Sequence, residues 1–252
     1  MIPDRMNRYL LFVLMALLAF TASGCGKKGP VRPLEAPEPP SPAALEAEQL
    51  GESVVLFWQI GDESGDGAET QGFRIERMTN YADSDCLDCD EQWRTLAQVD
   101  LDYSRVLFRR ENQLAWFDTT IIPGTAYRYR VFAYERTGID SAPASVTLNT
   151  IVPPPTPTGL QAQRRDGAVS LRWEAVDQPS GTLRYLLYRR SADAPFPPFP
   201  LTTEPLAEPR FKDTTADENR TYGYTVRTVS EQEGRRVQSV RSSEVRIPER
   251  TK

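Results

Sequence analysis

The sequence predicts an all-β chain: two antiparallel β-sandwiches in tandem, behind an N-terminal leader and a proline-rich tether. Three observations carry that prediction. The chain repeats itself once, with five landmarks in the same order in each half. Each half is written in short alternating apolar and polar runs broken by Gly, Pro, Asp and Asn, the pattern of half-buried strands joined by turns. No amphipathic helical run of useful length interrupts them, so sheet packed on sheet is the way left to bury a core.

The leader comes first. Arg5 and Arg8 precede an uninterrupted apolar run from Tyr9 to Phe20, and Thr21-Ala22-Ser23-Gly24 then leads into Cys25. A basic start, an apolar middle and small residues at the end read as a secretory signal over residues 1–24. The apolar run holds twelve residues, against the roughly twenty that a spanning helix needs. With a cysteine directly after the small residues, the segment resembles the lipobox of bacterial lipoproteins. That resemblance implies that Cys25 is diacylated and becomes the mature N-terminus, anchored to a membrane by two acyl chains where one is marginal.

Residues 25–44 form the tether. Gly26-Lys-Lys-Gly-Pro30 is followed by a stretch from Val31 to Pro42 rich in Pro, Glu and Ala, a composition that stays extended and semi-rigid. In polyproline form, at about 3.1 Å per residue, the chain from Cys25 to Leu45 reaches up to roughly 60 Å. The six residues from Cys25 to Pro30 are similar to the start of several small envelope lipoproteins. Gly26, in place of Asp, resembles lipoproteins sorted to the outer membrane, so the expected location is that membrane, facing the periplasm.

The two modules follow, at residues 45–152 and 153–249. Leu45-Glu-Ala47 stands thirteen residues before Trp58, and Leu160-Gln-Ala162 stands thirteen before Trp173. Val54-Val-Leu56-Phe-Trp58 matches Val169-Ser-Leu171-Arg-Trp173, both read as half-buried strands, and Phe73-Arg-Ile75-Glu-Arg77 matches Tyr185-Leu-Leu187-Tyr-Arg189. Asp118 and Asp213 each lie nine residues before a tyrosine, Tyr127 and Tyr222, and those tyrosines open the matching strands Tyr127-Arg-Tyr129-Arg-Val131 and Tyr222-Gly-Tyr224-Thr-Val226. Pro153-Pro-Pro-Thr-Pro157 reads as a stiff linker, and the resemblance that these landmarks carry, to fibronectin type III modules, implies last strands from Ser141 to Leu148 and from Ser239 to Ile247.

These landmarks resemble a pair of fibronectin type III modules, which are immunoglobulin-like β-sandwiches. Trp58 and Trp173 match the family's core tryptophan on the second strand. Pro123-Gly-Thr-Ala-Tyr127 is similar to its tyrosine corner, and Asn219-Arg-Thr-Tyr222 is the same corner with the Pro-Gly lost. The resemblance implies that Trp58, Trp173, Tyr127 and Tyr222 are structural core residues rather than ligand sites. A buried indole withdraws about 150–250 Å² from water.

Composition narrows the chemistry. The net charge is −5, which gives no support to a nucleic-acid partner. Charge is uneven: residues 45–152 carry nine basic and nineteen acidic side chains, residues 153–252 sixteen and thirteen. There is no histidine, which removes Ser-His-Asp and Cys-His catalysis, a histidine base and histidine-ligated zinc together. Phosphate loops and serine nucleophile elbows are missing too, so no cofactor, small-molecule substrate or catalysis is expected.

Cys86-Leu-Asp-Cys89 is the one constellation with latent chemistry. It lies in a seventeen-residue insertion: Arg77 to Asp118 is 41 positions, Arg189 to Asp213 is 24. In a secreted chain the two thiols are expected to pair as a local structural disulfide. A redox role lacks the βαβ setting such motifs use, and Asp85, Asp88, Asp90 and Glu91 raise rather than lower a thiol pKa. Zinc would have half a ligand set. Calcium has Asp83, Asp85, Asp88, Asp90 and Glu91 in one loop, without EF-hand spacing. Some lipoproteins with a similar start and fibronectin modules share such a pair in this loop, which implies a structural role.

Asp62 to Glu69 reads as a solvated turn. Ala194-Pro-Phe196-Pro-Pro-Phe199-Pro200 reads as a guard on a sheet edge with its rings folded down, and as the alternative an apolar patch in which Phe196 and Phe199 meet a partner. The expected function is that of a lipid-anchored envelope scaffold that binds a protein partner. Glycan binding or adhesion is the alternative, and a redox or metal enzyme at Cys86 and Cys89 the remote one.

Overall fold

The structure, a computed structural model, describes residues 37–62, 68–80, 92–177, 183–232 and 235–250. Module one runs β1 (Ala43–Leu50), β2 (Ser53–Gln59), β3 (Gly72–Thr79), β4 (Arg94–Asp100), β5 (Phe108–Arg110), β6 (Gln113–Asp118), β7 (Ala126–Tyr134) and β8 (Ala144–Asn149). Its two sheets are ordered β1-β2-β6-β5 and β4-β3-β7-β8, antiparallel throughout. Module two runs β9 (Gln161–Arg165), β10 (Ala168–Arg172), β11 (Arg184–Ser191), β12 (Arg210–Asp213), β13 (Tyr222–Gln232), β14 (Arg235–Gln238) and β15 (Val245–Ile247). One of its sheets is β12-β10-β9; in the other, β13 pairs with β11, β14 and β15.

Module one places its first, second, fifth and sixth strands in one sheet and its third, fourth, seventh and eighth in the other; module two places β9, β10 and β12 in one sheet and β11, β13, β14 and β15 in the other, the two-sheet layout of an immunoglobulin-like sandwich. Module one adds β4 and the short β5; among the described residues of module two a bridge from Tyr185 to Leu206 stands where β4 would be. Among the described residues there is no α-helix.

The alternation in the sequence becomes burial. Along β7, Tyr127, Tyr129, Val131 and Ala133 are buried and their neighbours half-buried, because successive side chains leave opposite faces of a strand. Trp58 meets Phe73 edge-on at 5.3 Å in core one, and Trp173 meets Tyr185 at 5.3 Å in core two. Tyr127 and Tyr222 are buried as well, and each phenol oxygen accepts the backbone N–H five residues upstream, from Ile122 at 2.8 Å and Asp217 at 3.3 Å.

The repeated Arg, Asp and Tyr landmarks converge on one buried carboxylate per module. Asp118 accepts from Arg77 Nη1 at 2.6 Å, the Tyr129 hydroxyl at 2.9 Å, and the Thr120 N–H and hydroxyl at 2.9 and 2.7 Å. Asp213 accepts from Arg189 at 2.7 Å, Tyr224 at 2.8 Å, and Thr215 at 2.9 and 2.8 Å. Burial works against ionised Asp213, but the Thr215 and Tyr224 hydrogen bonds and the Arg189 charge outweigh it and hold its carboxyl below the ordinary value. Burial, reinforced by the facing aspartates, pushes the Tyr129 and Tyr224 phenols far up, so they remain donors.

Two strands depart from the sequence reading. Strand β2 is buried on both faces: Val54, Leu56 and Trp58 face core one, while Val55 and Phe57 belong to a second cluster outside it. The single last strand expected from Ser239 to Ile247 is split into β14 and β15. Between them the hydroxyls of Ser239 and Ser242 accept the N–H groups of Thr228 and Val226, replacing main-chain partners. The kink releases β14 to pair in parallel with β1, Gln49 with Val237 and Leu50 with Gln238. Sheets from both modules thereby fuse into one eight-stranded sheet.

Candidate functional site

The outer face of β1, β2 and β6 is apolar, carrying Leu50, Val55, Phe57 and Ala115. In an isolated sandwich this patch would face water. Phe199 from the β11–β12 loop of module two covers it, with its ring 5.8 Å from that of Phe57 and the Arg110 guanidinium 4.4 Å above it. At 8 % exposure, Phe199 is folded down onto this chain's own module one rather than presented as an open apolar patch. Phe196 is half-buried against Leu186, Tyr188 and Val229.

Polar groups lock the same junction. The Gln49 amide imitates a strand neighbour for the end of module one, just before the linker: Nε2 donates to the Ile151 carbonyl at 2.7 Å and Oε1 accepts the Ile151 N–H at 2.9 Å. The Gly51 N–H donates to the Gln238 carbonyl at 2.9 Å, and the Thr228 hydroxyl to the Pro155 carbonyl at 2.7 Å. Tyr188 donates to Gln238 Oε1 at 2.7 Å, and Gln238 Nε2 to Glu48 Oε1 at 2.8 Å. Burial raises the Glu48 carboxyl above its ordinary value, against the opposing pull of the Gln238 hydrogen bond and the charges of Arg236 and Arg227.

Beside this junction lies an open cleft of about 690 Å³, a size suited to a ligand of a few side chains. Phe108 and Phe117, edge-on at 5.6 Å, form its module-one wall. Module two supplies Tyr188, Phe196, Arg227 and Arg241. Phe196 sits between two guanidiniums, Arg190 at 5.2 Å and Arg241 at 5.3 Å. Arg190 is held by both oxygens of Glu244 at 2.8 and 2.9 Å.

Arg227 is different. It is 6 % exposed, donates through Nη1 to the Ser239 carbonyl, and has no partner for Nε and no carboxylate partner among the described residues. Burial pulls its pKa down to about 10; the nearby Arg241 charge pulls the same way, while Tyr188 and Glu48 oppose it. The Thr225 hydroxyl, on the same cleft lining, is buried without a partner. Sequence reasoning missed this group. The basic excess of module two was its one signal, and a charge count does not say which arginines lack carboxylates.

Trp58, Trp173, Tyr127 and Tyr222 lie in the two cores and none lines the cleft. Cys25, Cys86 and Cys89, with the acidic loop around the latter pair, lie outside the described residues. No protein-family model and no curated protein matches the chain. Among solved structures it is similar to the FN1–FN3 domains of chicken CNTN1, at 16 % identity over 86 % of this chain and 69 % of that one, with a TM-score of 0.34. It is also similar to a two fibronectin type III domain segment from chicken tenascin, at 13 % identity over 82 % and 98 %, with a TM-score of 0.30. Strand order and register, not these likenesses, define the fold.

Proposed function

We propose that the chain is a lipid-anchored envelope scaffold that binds a protein partner without catalysis, holding its two modules at a set distance from the membrane. The observation that carries this reading is the fused sheet, in which β1 and β14 join the modules edge to edge and Phe199 seals the face beside them. A fixed pair of modules presents one composite surface, whereas beads on a linker present two independent ones. Acylated Cys25 and the tether from Val31 to Pro42 supply the anchor and the standoff, at the outer membrane and on its periplasmic side. Against glycan binding stands the shortage of stacking surfaces: among the described residues Tyr103 is the one aromatic in the set of exposed large apolar side chains.

The test is in-cell crosslinking with affinity capture, on the full lipoprotein and on a version lacking Val31 to Pro42. One membrane protein recovered in fixed proportion, and lost on shortening, is the expected result; no protein partner in either form overturns the reading. A Cys25→Ser chain that still incorporates labelled palmitate overturns the anchor.

A further inference from the structure

We propose that the cleft beside the module junction receives an acidic, apolar-flanked segment of a protein partner, a proposal that rests on the reading of this chain as a binding protein. A carboxylate of that segment lies by Arg241 and Arg227, and a neighbouring apolar side chain lies between Phe196 and the wall of Phe108 and Phe117.

The charge balance of the cleft supports this. Its carboxylates are taken: Glu244 by Arg190, and Asp193 by Arg246. Elsewhere in module two Arg189 pairs with Asp213 and Arg250 with Glu218. Arg227 and Arg241 are left as neighbouring like charges with no ion-pair contact among the described residues, one of them almost wholly buried; Glu48 acts on Arg227 only through space, its hydrogen bond being with Gln238. Like charges held together in a partly desolvated place are unfavourable until an anion bridges them. The unpartnered Thr225 hydroxyl gives the same cleft a polar group in need of a partner.

The remaining lining chooses the kind of anion. Phe108, Phe117 and Phe196 are half-buried aromatic surfaces, which reward an apolar neighbour of the carboxylate and do nothing for a bare phosphate. The chain's net charge of −5 also disfavours an extended polyanion. An acidic peptide with interleaved large apolar residues satisfies both features.

The test is calorimetric titration of the full chain in detergent with acetyl-Leu-Asp-Phe-Glu-amide, with its Asn/Gln counterpart, and with inorganic phosphate. Saturable binding of the acidic peptide is expected, about tenfold weaker for the uncharged peptide and about tenfold weaker again when Arg241→Gln meets the acidic one. Arg241 is exposed and makes no ion pair among the described residues, so Arg241→Gln, which only removes a like charge beside Arg227, should not lower the melting temperature. Phe196→Ala weakens the acidic peptide as well. Absence of saturable binding, equal binding of both peptides, phosphate binding as tightly, or full binding by Arg241→Gln would each overturn the proposal. If in-cell capture of a partner persists under any of those results, only the cleft assignment falls and the broader reading stands.

Discussion

The ring of Phe199 in module two lies 5.8 Å from that of Phe57 in module one, tilted by 46°. Phe57 belongs to a strand whose inner face already fills the first core, so this contact makes an outer sheet face into a second interior. The prolines on either side of Phe199 present the ring without offering a strand edge to other chains.

Removing the ring should therefore loosen the modules before it unfolds either one. Phe199→Ala is expected to cost about 3 kcal/mol of junction stability. Small-angle scattering should then show a broader distribution of dimensions than wild type, and urea unfolding should separate into two steps. A single transition with unchanged dimensions would contradict this role.

Gly51 should tolerate no side chain. Its φ of +66° is one that L residues rarely adopt, and a Cβ there would lie 3.0 Å from the Val240 Cα of module two. Gly51→Ala combines backbone strain of about 1 kcal/mol with displacement of the neighbouring module. Faster hydrogen exchange of the amide at position 51, which is bonded to the Gln238 carbonyl, is the expected readout.

Glu48 links the junction to pH. Its folded-state pKa is raised, so the stability it contributes is fully present below its ordinary value of 4.5 and is lost as pH rises through the folded value. Once ionised, the carboxylate is a burden on the junction. Glu48→Gln keeps an acceptor for Gln238 and should raise the melting temperature at neutral pH, with the gain shrinking as the buffer approaches pH 4.5.

Asp213 has the opposite sign. Its folded pKa is lowered, so its contribution is present above the ordinary value of 3.8 and is lost as pH falls through the folded value. Asp213→Asn should destabilise module two by about 1–3 kcal/mol at neutral pH, and the difference from wild type should vanish in strong acid. Thermal melts across pH 2 to 7 of both variants separate the two effects.

Trp173→Ala should remove about 3–5 kcal/mol from module two, since the indole fills the space against Tyr185 and the cavity left behind stays partly open. Urea unfolding followed through the remaining tryptophans measures it.

Much of the architecture was legible because it is written locally and twice. Period-two burial along β7, the buried tryptophans, the tyrosine corners and the recurring Arg, Asp and Tyr positions all follow from spacings within a single module. What remained hidden depends on contacts between modules. The run from Val54 to Trp58 reads equally as a strand with one buried face or two, and only the arrival of Phe199 decides for two. The sequence by itself thus determined two all-β sandwiches, their order and their cores, since strand period and core composition are properties of short stretches. Only the tertiary structure decided the fused sheet and the arginine-lined cleft: Glu48 and Gln238 meet across 190 positions of chain, and no local pattern selects partners at that distance.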